Sequence, residues 1–149
     1  TKTMINNYAK NSLLPPPDKK KYFKEHMLLL IFIYYYKNLL SISDIETLLG
    51  PVTEKHFQTE SPVSLEDIYT EVFSLRDEQK KRLVEDMKQK FQAAEDTFSQ
   101  APEQEREFLR LFAFISELAF DVYLKKLVIE SLIDQLREET PSPKDKKRR

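Results

Sequence analysis

Residues 3–49 read TMINNYAKNSLLPPPDKKKYFKEHMLLLIFIYYYKNLLSISDIETLL. Three consecutive prolines at residues 15–17 interrupt this stretch, because proline lacks a backbone N–H donor and its ring clashes with the preceding helical turn. The apolar run at residues 27–36 predicts a helix that neighbouring helices cover on most sides. The stretch therefore predicts a small head of helices that are separated by a proline-rich turn.

The composition of the 149-residue chain favours an all-α fold. It contains a single glycine, and 33% of its residues are charged, whereas sheet-rich folds need glycine in their turns. The 40% of hydrophobic residues suffice for a modest core. The chain has no cysteine, which excludes disulfides and thiolate zinc sites.

The net charge of −1 conceals a segregation of charge along the sequence. Residues 1–37 carry seven lysines and two acidic residues, residues 38–140 carry twelve basic and twenty-two acidic residues, and residues 141–149 carry five basic residues and one acidic residue. Basic segments attract polyanions, whereas acidic segments repel them. We therefore expect a polyanion to bind the head, and we expect residues 140–149 to form a disordered basic tail.

The apolar run at residues 27–36 is too short to cross a membrane. As a helix it extends about 15 Å, which is roughly half of the hydrocarbon thickness of a bilayer. We expect no signal peptide before it, because a charged n-region and a cleavage site are not seen in the sequence. We expect a cytoplasmic protein that does not bind membranes.

The first helical segment carries polar residues beside an apolar side. Ile5 and Tyr8 share one side at helical spacing, whereas Asn6, Asn7 and Lys10 lie elsewhere around the helix. Asparagine can pair with adenine in a major groove, and lysine neutralises phosphate. The pattern is compatible with DNA contact and also with an ordinary solvated helix side.

Three consecutive lysines follow the prolines. Lys19, Lys20 and Lys21 directly precede Tyr22. Such a segment suits a strand or loop along a phosphate backbone, where each neutralised phosphate releases a counterion. A solvated loop is the alternative interpretation.

Residues 41–49 predict a short helix. Ser43 and Glu46 match the Ser-x-x-Glu capping box. The Gly-Pro pair at residues 50 and 51 predicts the end of this helix. Residues 51–63 are then a linker with prolines near both ends.

The two histidines of the chain are poor candidates for a metal site. His26 and His56 lie thirty residues apart, without cysteine, and zinc sites need a larger set of nitrogen or sulfur ligands. We expect His26 at the surface or the core edge of the head. The sequence predicts neither a metal site nor a cofactor.

Residues 64–139 predict a body of long helices. Ser64 and Asp67 fit a helix start, and the polar run at residues 76–82 either exposes this helix or breaks it. From residue 108, eight of nine positions in a 3-4-3-4 spacing are apolar, which is typical of a coiled-coil seam. The helix at residues 103–139 is expected to pack on the preceding helices and on a partner subunit.

The order of these motifs resembles the DNA-binding head of MerR-type bacterial regulators. In that pattern a recognition helix leads into Leu-Leu-Pro, a basic wing ends in Tyr, and a helix pair follows. The matching positions are Ile5, Tyr8, Leu13, Leu14, Pro15, Tyr22, Leu30, Ile33, Ser41 and Ile45. The resemblance implies a winged helix-turn-helix head at residues 1–50, whose first helix lies upstream of Thr1, so that we expect the sequence to be a fragment.

The resemblance also implies a function. We expect a bacterial transcription regulator that binds double-stranded DNA as a homodimer through its C-terminal helices at residues 64–139, with an effector ligand left open. The expected DNA contacts are Thr3, Asn6, Asn7, Tyr8, Lys10, Lys19, Lys20, Lys21, Tyr22 and Lys24.

The sequence also bears on two other classes of function. An enzyme is not expected, because the sequence has no Gly-rich phosphate loop and no nucleophile at a readable distance from a histidine. A helical protein–protein interaction module with a degenerate head is the alternative, and the broad apolar surface at residues 108–136 motivates it.

Overall fold

The computed structural model describes residues 2–10, 13–19 and 21–139. They form five helices: α1 (Lys2–Lys10), α2 (Lys24–Tyr36), α3 (Ile42–His56), α4 (Leu65–Glu95) and α5 (Glu103–Glu139). An isolated β-bridge joins Asp18 and Lys21, and the described residues contain no strand. The all-α prediction is therefore confirmed. The predicted disorder of residues 140–149 lies outside the described residues.

The chain divides into two compact units. The first comprises the described residues of 1–71 and 129–139, and the second comprises residues 72–128. Helices α4 and α5 thus contribute to both units. The domain limits expected from the sequence, at residues 50, 63 and 139, stay a prediction.

The first unit is organised around buried leucines. Leu14, Leu28, Leu29 and Leu65 form one core cluster, against which partly buried side chains from α1, α3 and α4 pack. Burial of apolar surface is the main stabilising contribution in such a cluster. We call these four residues the leucine cluster.

Helix α2 has one buried side. His26, Leu28, Leu29, Phe32 and Ile33 are buried, whereas the opposite side of the helix is exposed at residues 27, 34 and 35. The prediction that neighbouring helices cover α2 on most sides is therefore wrong. Its apolar sequence reflects a buried side and a second, exposed side with two tyrosines.

Helix α3 begins at a different cap from the predicted one. The hydroxyl of Ser41 accepts the Asp44 N–H at 3.1 Å, and the Asp44 carboxylate accepts the Ser41 N–H at 3.1 Å. Ser43 and Glu46 therefore do not form the capping box. With Ser41 as the cap, Leu40 and Ile45 occupy the positions of a hydrophobic staple, and both are buried. This burial explains why the earlier serine is used.

Helix α3 also continues beyond its predicted end. It passes through Gly50 and Pro51 to His56, so the predicted end of the helix at these two residues is wrong. An internal proline costs about 3 kcal/mol. The following turn packs Val52 and the C-cap Phe57 against the leucine cluster, and we attribute the continuation to this packing.

Helix α4 is continuous through the polar run at residues 76–82. Its start agrees with the prediction, because the Ser64 hydroxyl accepts the Asp67 N–H at 3.1 Å and the Asp67 carboxylate accepts the Ser64 N–H at 2.9 Å. Within the run, Arg82 donates to Glu78 one turn earlier at 3.4 Å. Such pairs support exposed helices by a few tenths of a kcal/mol each.

Helix α5 matches the predicted range of residues 103–139. It contacts α4 as predicted, with 5.5 Å between the ring centroids of Phe91 and Phe114, whereas Phe108 and Ile115 are 68% and 56% exposed. The expected packing on a partner subunit stays a prediction. None of the helices in the described residues combines the length and the apolar character that crossing a bilayer requires.

Candidate nucleic-acid interface

Helix α1 has a packed side and an exposed side. Ile5 and Tyr8 are half-buried and pack against the leucine cluster. Asn6, Asn7 and Lys10 are exposed, as is Thr3 near the helix start. The packed side fixes the helix on the first unit, and the exposed residues offer a hydroxyl, two amides and an ammonium group.

The chain after α1 is anchored to the end of that helix. The backbone N–H groups of Leu13 and Leu14 donate to the Tyr8 carbonyl at 2.9 and 3.3 Å, and both leucine side chains are buried. Residues 15–17 then run without helix or strand, as their prolines predict. The segment connects α1 to the lysines through a well-packed turn.

Asp18 and Lys21 are joined by an isolated bridge, and we call the segment from Asp18 to Lys21 the basic turn. The Lys21 N–H donates to the Asp18 carbonyl at 2.7 Å. Lys19 has a φ of 45°, in the left-handed region that costs a residue with a Cβ about 1 kcal/mol. Backbone strain of this kind is concentrated at functional sites. The turn exposes Lys19 and Lys21, and Lys20 lies outside the described residues.

The ion pairs of the described lysines of the head differ from residue to residue. Among the described residues, no carboxylate forms an ion pair with Lys10, Lys19 or Lys21. Lys24 differs from them, because its ammonium lies 2.5 Å from the Glu66 carboxylate. Both partners are more than half exposed, so this pair is worth at most about 1 kcal/mol. A phosphate contact by Lys24 would have to compete with Glu66.

His26 supports the segment that follows the basic turn. Its Nδ1 accepts the Phe23 N–H at 3.1 Å, which satisfies one of the free donors at the start of α2. Its ring also contacts Tyr22 edge-on, with 5.3 Å between the ring centroids, and Phe57 at 4.7 Å. His26 is only 1% exposed, so the expected position at the surface or core edge is wrong. Its role is to cap α2 from within the core.

Tyr22 is the aromatic residue that the sequence placed beside the lysines. It is 43% exposed, and the edge contact with His26 holds its ring. Tyr8 is half-buried against the leucine cluster, so much of its surface is used for packing. Of the two predicted tyrosines, Tyr22 offers more surface to a ligand.

The sequence did not predict the contact that joins α5 to α3. Arg137 donates to the Asp44 carboxylate at 2.6 Å and to the Thr47 hydroxyl at 3.3 Å. Two hydrogen bonds to the Asp44 carboxylate lower its pKa below the usual range. The one from the Ser41 hydroxyl has the larger effect, and the one from Arg137 has the smaller effect. The two residues are 93 positions apart in the sequence, so no short sequence pattern predicts this contact.

The described residues contain no group of three or more histidine, aspartate or glutamate side chains that could hold a metal ion. The exposed candidate residues of the head carry ammonium, amide, hydroxyl and phenol groups. Such groups bind phosphate oxygens and the edges of bases. The arrangement is suited to binding a polyanion by charge and hydrogen bonds.

The first part of the chain is similar to a known protein family. The family described as Domain of unknown function (DUF1836) matches residues 1–72. The matched range ends next to Glu71, the residue at which the first compact unit gives way to the second. It includes all the predicted DNA contacts. No curated protein and no solved structure matches the chain.

Proposed function

We propose that this chain is a bacterial DNA-binding transcription regulator whose head resembles the winged helix-turn-helix of MerR-type proteins. In this proposal α1 is the recognition helix and the basic turn is a short wing on the phosphate backbone. The chain acts as a homodimer on double-stranded DNA and performs no catalysis. An effector ligand is left open.

One observation carries the proposal. Exposed amides on α1 and exposed lysines on the basic turn belong to segments that pack on the same leucine cluster, through Tyr8 and Leu14. A base-reading element and a phosphate-binding element need this kind of rigid support, because phosphate contacts set the register in which side chains reach the bases. The excess of lysine in residues 1–37 supplies the attraction for DNA.

The two elements have different roles in the proposal. Asn6 and Asn7 read base edges, because a carboxamide can donate to and accept from adenine in the major groove. Lys19, Lys20 and Lys21 bind phosphates, which adds affinity without sequence preference. Substitution of the lysines should therefore change the affinity for all DNA, whereas substitution of the asparagines should change the sequence specificity.

The first experiment measures binding of the full chain to duplex DNA by fluorescence anisotropy over a series of salt concentrations. Replacing Lys19, Lys20 and Lys21 with alanine should weaken binding to all sequences and reduce the salt slope by about two to three, close to one per phosphate contact. The matched control replaces Lys80, Lys81 and Arg82 on α4 with alanine. An unchanged slope in the first variant, or an equal change in the control, would exclude the wing assignment.

The second experiment tests base reading. A preferred duplex is first selected from a random library with the unsubstituted chain. Asn6→Ala and Asn7→Ala should then reduce discrimination between this duplex and random DNA by about 1 to 3 kcal/mol, because each removes a bidentate contact. Binding to random DNA should change little. A variant that loses affinity for all sequences equally would contradict this role.

A helical interaction module with a degenerate head remains a second candidate. The observation that favours it is the exposed aromatic surface of α5, where Phe108 and Phe112 are 68% and 57% exposed. If the chain is monomeric, does not bind DNA and binds a different protein, this candidate is supported and the first is excluded.

A further inference from the structure

The last turns of α5 are fixed to the first turns of α3 within the first unit. Arg137 donates to the Asp44 carboxylate at 2.6 Å and to the Thr47 hydroxyl at 3.3 Å. One turn earlier on α5, Ile133 is only 2% exposed. A buried apolar side chain and charge-assisted hydrogen bonds on successive turns hold this end of the helix in place. The chain that leaves α5 after Glu139 therefore starts beside α3.

The fold brings together the two basic parts of the sequence. Residues 1–37 carry seven lysines and two acidic residues, and residues 141–149 carry five basic residues and one acidic residue. Twelve basic and twenty-two acidic residues lie between them in the sequence. The first basic part contains α1 and the basic turn, and the second begins shortly after the end of α5. Since the end of α5 belongs to the first unit, both basic parts are attached to the same unit.

The length of the chain after α5 is sufficient to reach DNA that is bound by the head. The basic turn directly precedes α2 and α3 directly follows it, so the Arg137 contact lies about one length of α2 from the turn. For its 13 residues this length is roughly 20 Å. Residues 140–149 can span at most about 33 Å. A tether of this length keeps its charged groups at an effective concentration on the order of millimolar.

We propose that residues 141–149 bind phosphates of the same duplex as the head, as a second phosphate-binding element besides the basic turn. This inference rests on the proposed function, because it requires that the head binds DNA. Lysine and arginine contact phosphates without reading bases, so the segment adds affinity and no sequence preference. The groups that bind are its five cations, which are Lys144, Lys146, Lys147, Arg148 and Arg149.

The first test measures binding of the full chain to duplex DNA by fluorescence anisotropy over a series of salt concentrations. Replacing Lys146, Lys147 and Arg148 with alanine should reduce the salt slope by about two to three, because each lost phosphate contact releases one counterion fewer. The affinities for the selected duplex and for random DNA should fall by the same factor. Circular dichroism verifies that the variant retains its helices.

The matched control replaces Lys80, Lys81 and Arg82 on α4 with alanine. It removes two lysines and one arginine, as the first variant does, so the change in net charge is the same. The control should leave the salt slope unchanged. An equal reduction in both variants would overturn the inference, because it would show an effect of net charge alone.

Comparison with the variant of the basic turn separates this inference from the proposed function. If replacing Lys19, Lys20 and Lys21 lowers the salt slope and replacing the three residues of the tail does not, the inference is overturned and DNA binding by the head stands. If the unsubstituted chain does not bind duplex DNA at low salt, both are overturned. If the variant of the tail binds DNA more tightly, the tail contacts the acidic helices of the chain itself, and the inference is again overturned.

The second test locates the tail on the duplex. The chain has no cysteine, so a single introduced cysteine can carry an iron–EDTA group that cleaves the DNA nearby. The group on Ser142→Cys should cleave the selected duplex at a few adjacent positions, close to those cleaved from Asp18→Cys in the basic turn. Cleavage from Ser142→Cys that is absent, or uniform along the duplex, would overturn the inference.

Discussion

His26 shows how one buried polar residue determines the geometry of the head. Glutamate or glutamine usually closes a capping box from the third helical position, and here an imidazole accepts the Phe23 N–H from that position. The other ring nitrogen, Nε2, is buried without a hydrogen-bond partner in the described part of the chain. The ring is held instead by its aromatic neighbours Tyr22, Phe23 and Phe57.

We expect His26→Ala to lower the free energy of unfolding by about 2 kcal/mol or more. The variant loses a helix cap, worth about 1 kcal/mol, and leaves a cavity in the core. Urea denaturation measures the change. His56→Ala, which removes a half-buried imidazole near the Val63 carbonyl, should cost about 1 kcal/mol. Equal losses would contradict the capping role of His26.

Asp44 should make the first unit sensitive to acid. The Ser41 hydroxyl and Arg137 stabilise its charged form and lower its pKa. A group whose pKa is lower in the folded state contributes stability above its usual pKa of 3.8, and this contribution is lost as the pH falls through the lowered value. Asp44→Asn should therefore flatten the loss of stability below about pH 4, as measured by urea denaturation at successive pH values.

The control for this prediction is Asp77→Asn. Asp77 is an exposed carboxylate whose Lys80 partner lies 4.0 Å away, so its removal should leave the acid dependence of unfolding unchanged. An Asp44→Asn variant with the acid dependence of the unsubstituted chain would show that the hydrogen bonds from Ser41 and Arg137 to this carboxylate add nothing to stability.

At the scale of elements, α3 shows tertiary packing overriding a local stop signal. Gly50 and Pro51 form a typical helix end, yet the helix continues to His56. The glycine has open space around it, with nothing within 4 Å of an added Cβ, so no close approach requires it. The continuation instead coincides with the packing of Val52 and Phe57 on the leucine cluster.

Pro51→Ala should raise the free energy of unfolding by about 1 to 3 kcal/mol. The substitution restores an N–H donor inside α3 and removes the clash of the ring with the preceding turn. Thermal denaturation measures the gain. Pro102→Ala should change stability by less than about 0.5 kcal/mol, because Pro102 precedes α5, where its N–H would have no helical partner. A loss of stability in Pro51→Ala would show that the proline stabilises the folded chain.

At the scale of the whole molecule, apolar side chains are distributed unequally. The first unit buries most of the core residues, including Leu29, Ile33 and Ile45, whereas in the second unit Phe108 and Ile115 of α5 stay exposed. Association that covers exposed apolar side chains stabilises the folded chain. Stability should then depend on protein concentration.

The thermal midpoint should rise with the concentration of the chain. Mass action adds about 1.4 kcal/mol to a dimer for each tenfold increase, which corresponds to a rise of about 2 to 4 °C for a chain of this size. Differential scanning calorimetry at three concentrations measures it. Ile115→Glu places a charge among the exposed apolar side chains of α5 and should remove the dependence. Gln89→Glu adds the same charge at an exposed polar position of α4 and should keep it. A midpoint that is independent of concentration in the unsubstituted chain would contradict the dimer.

Several features of the candidate site could be anticipated from single segments. The half-buried position of Ile5 and Tyr8 and the exposure of Asn6 and Asn7 follow from helical spacing alone. The pairing of Lys24 with Glu66 could not be anticipated in the same way, since the two residues lie on different helices. The left-handed conformation of Lys19 was also not expected, because lysine has no preference for it.

The sequence by itself determined the helical class, the interruption at residues 15–17, the Ser64 cap and the limits of α5. These features depend on backbone preferences and hydrogen bonds that act within a few residues. Only the tertiary structure decided the burial of His26, the passage of α3 through Pro51, the contact between Arg137 and Asp44, and the exposed side of α5. Each of these depends on which distant residues come together, and that choice is made by burial of apolar surface across the whole chain.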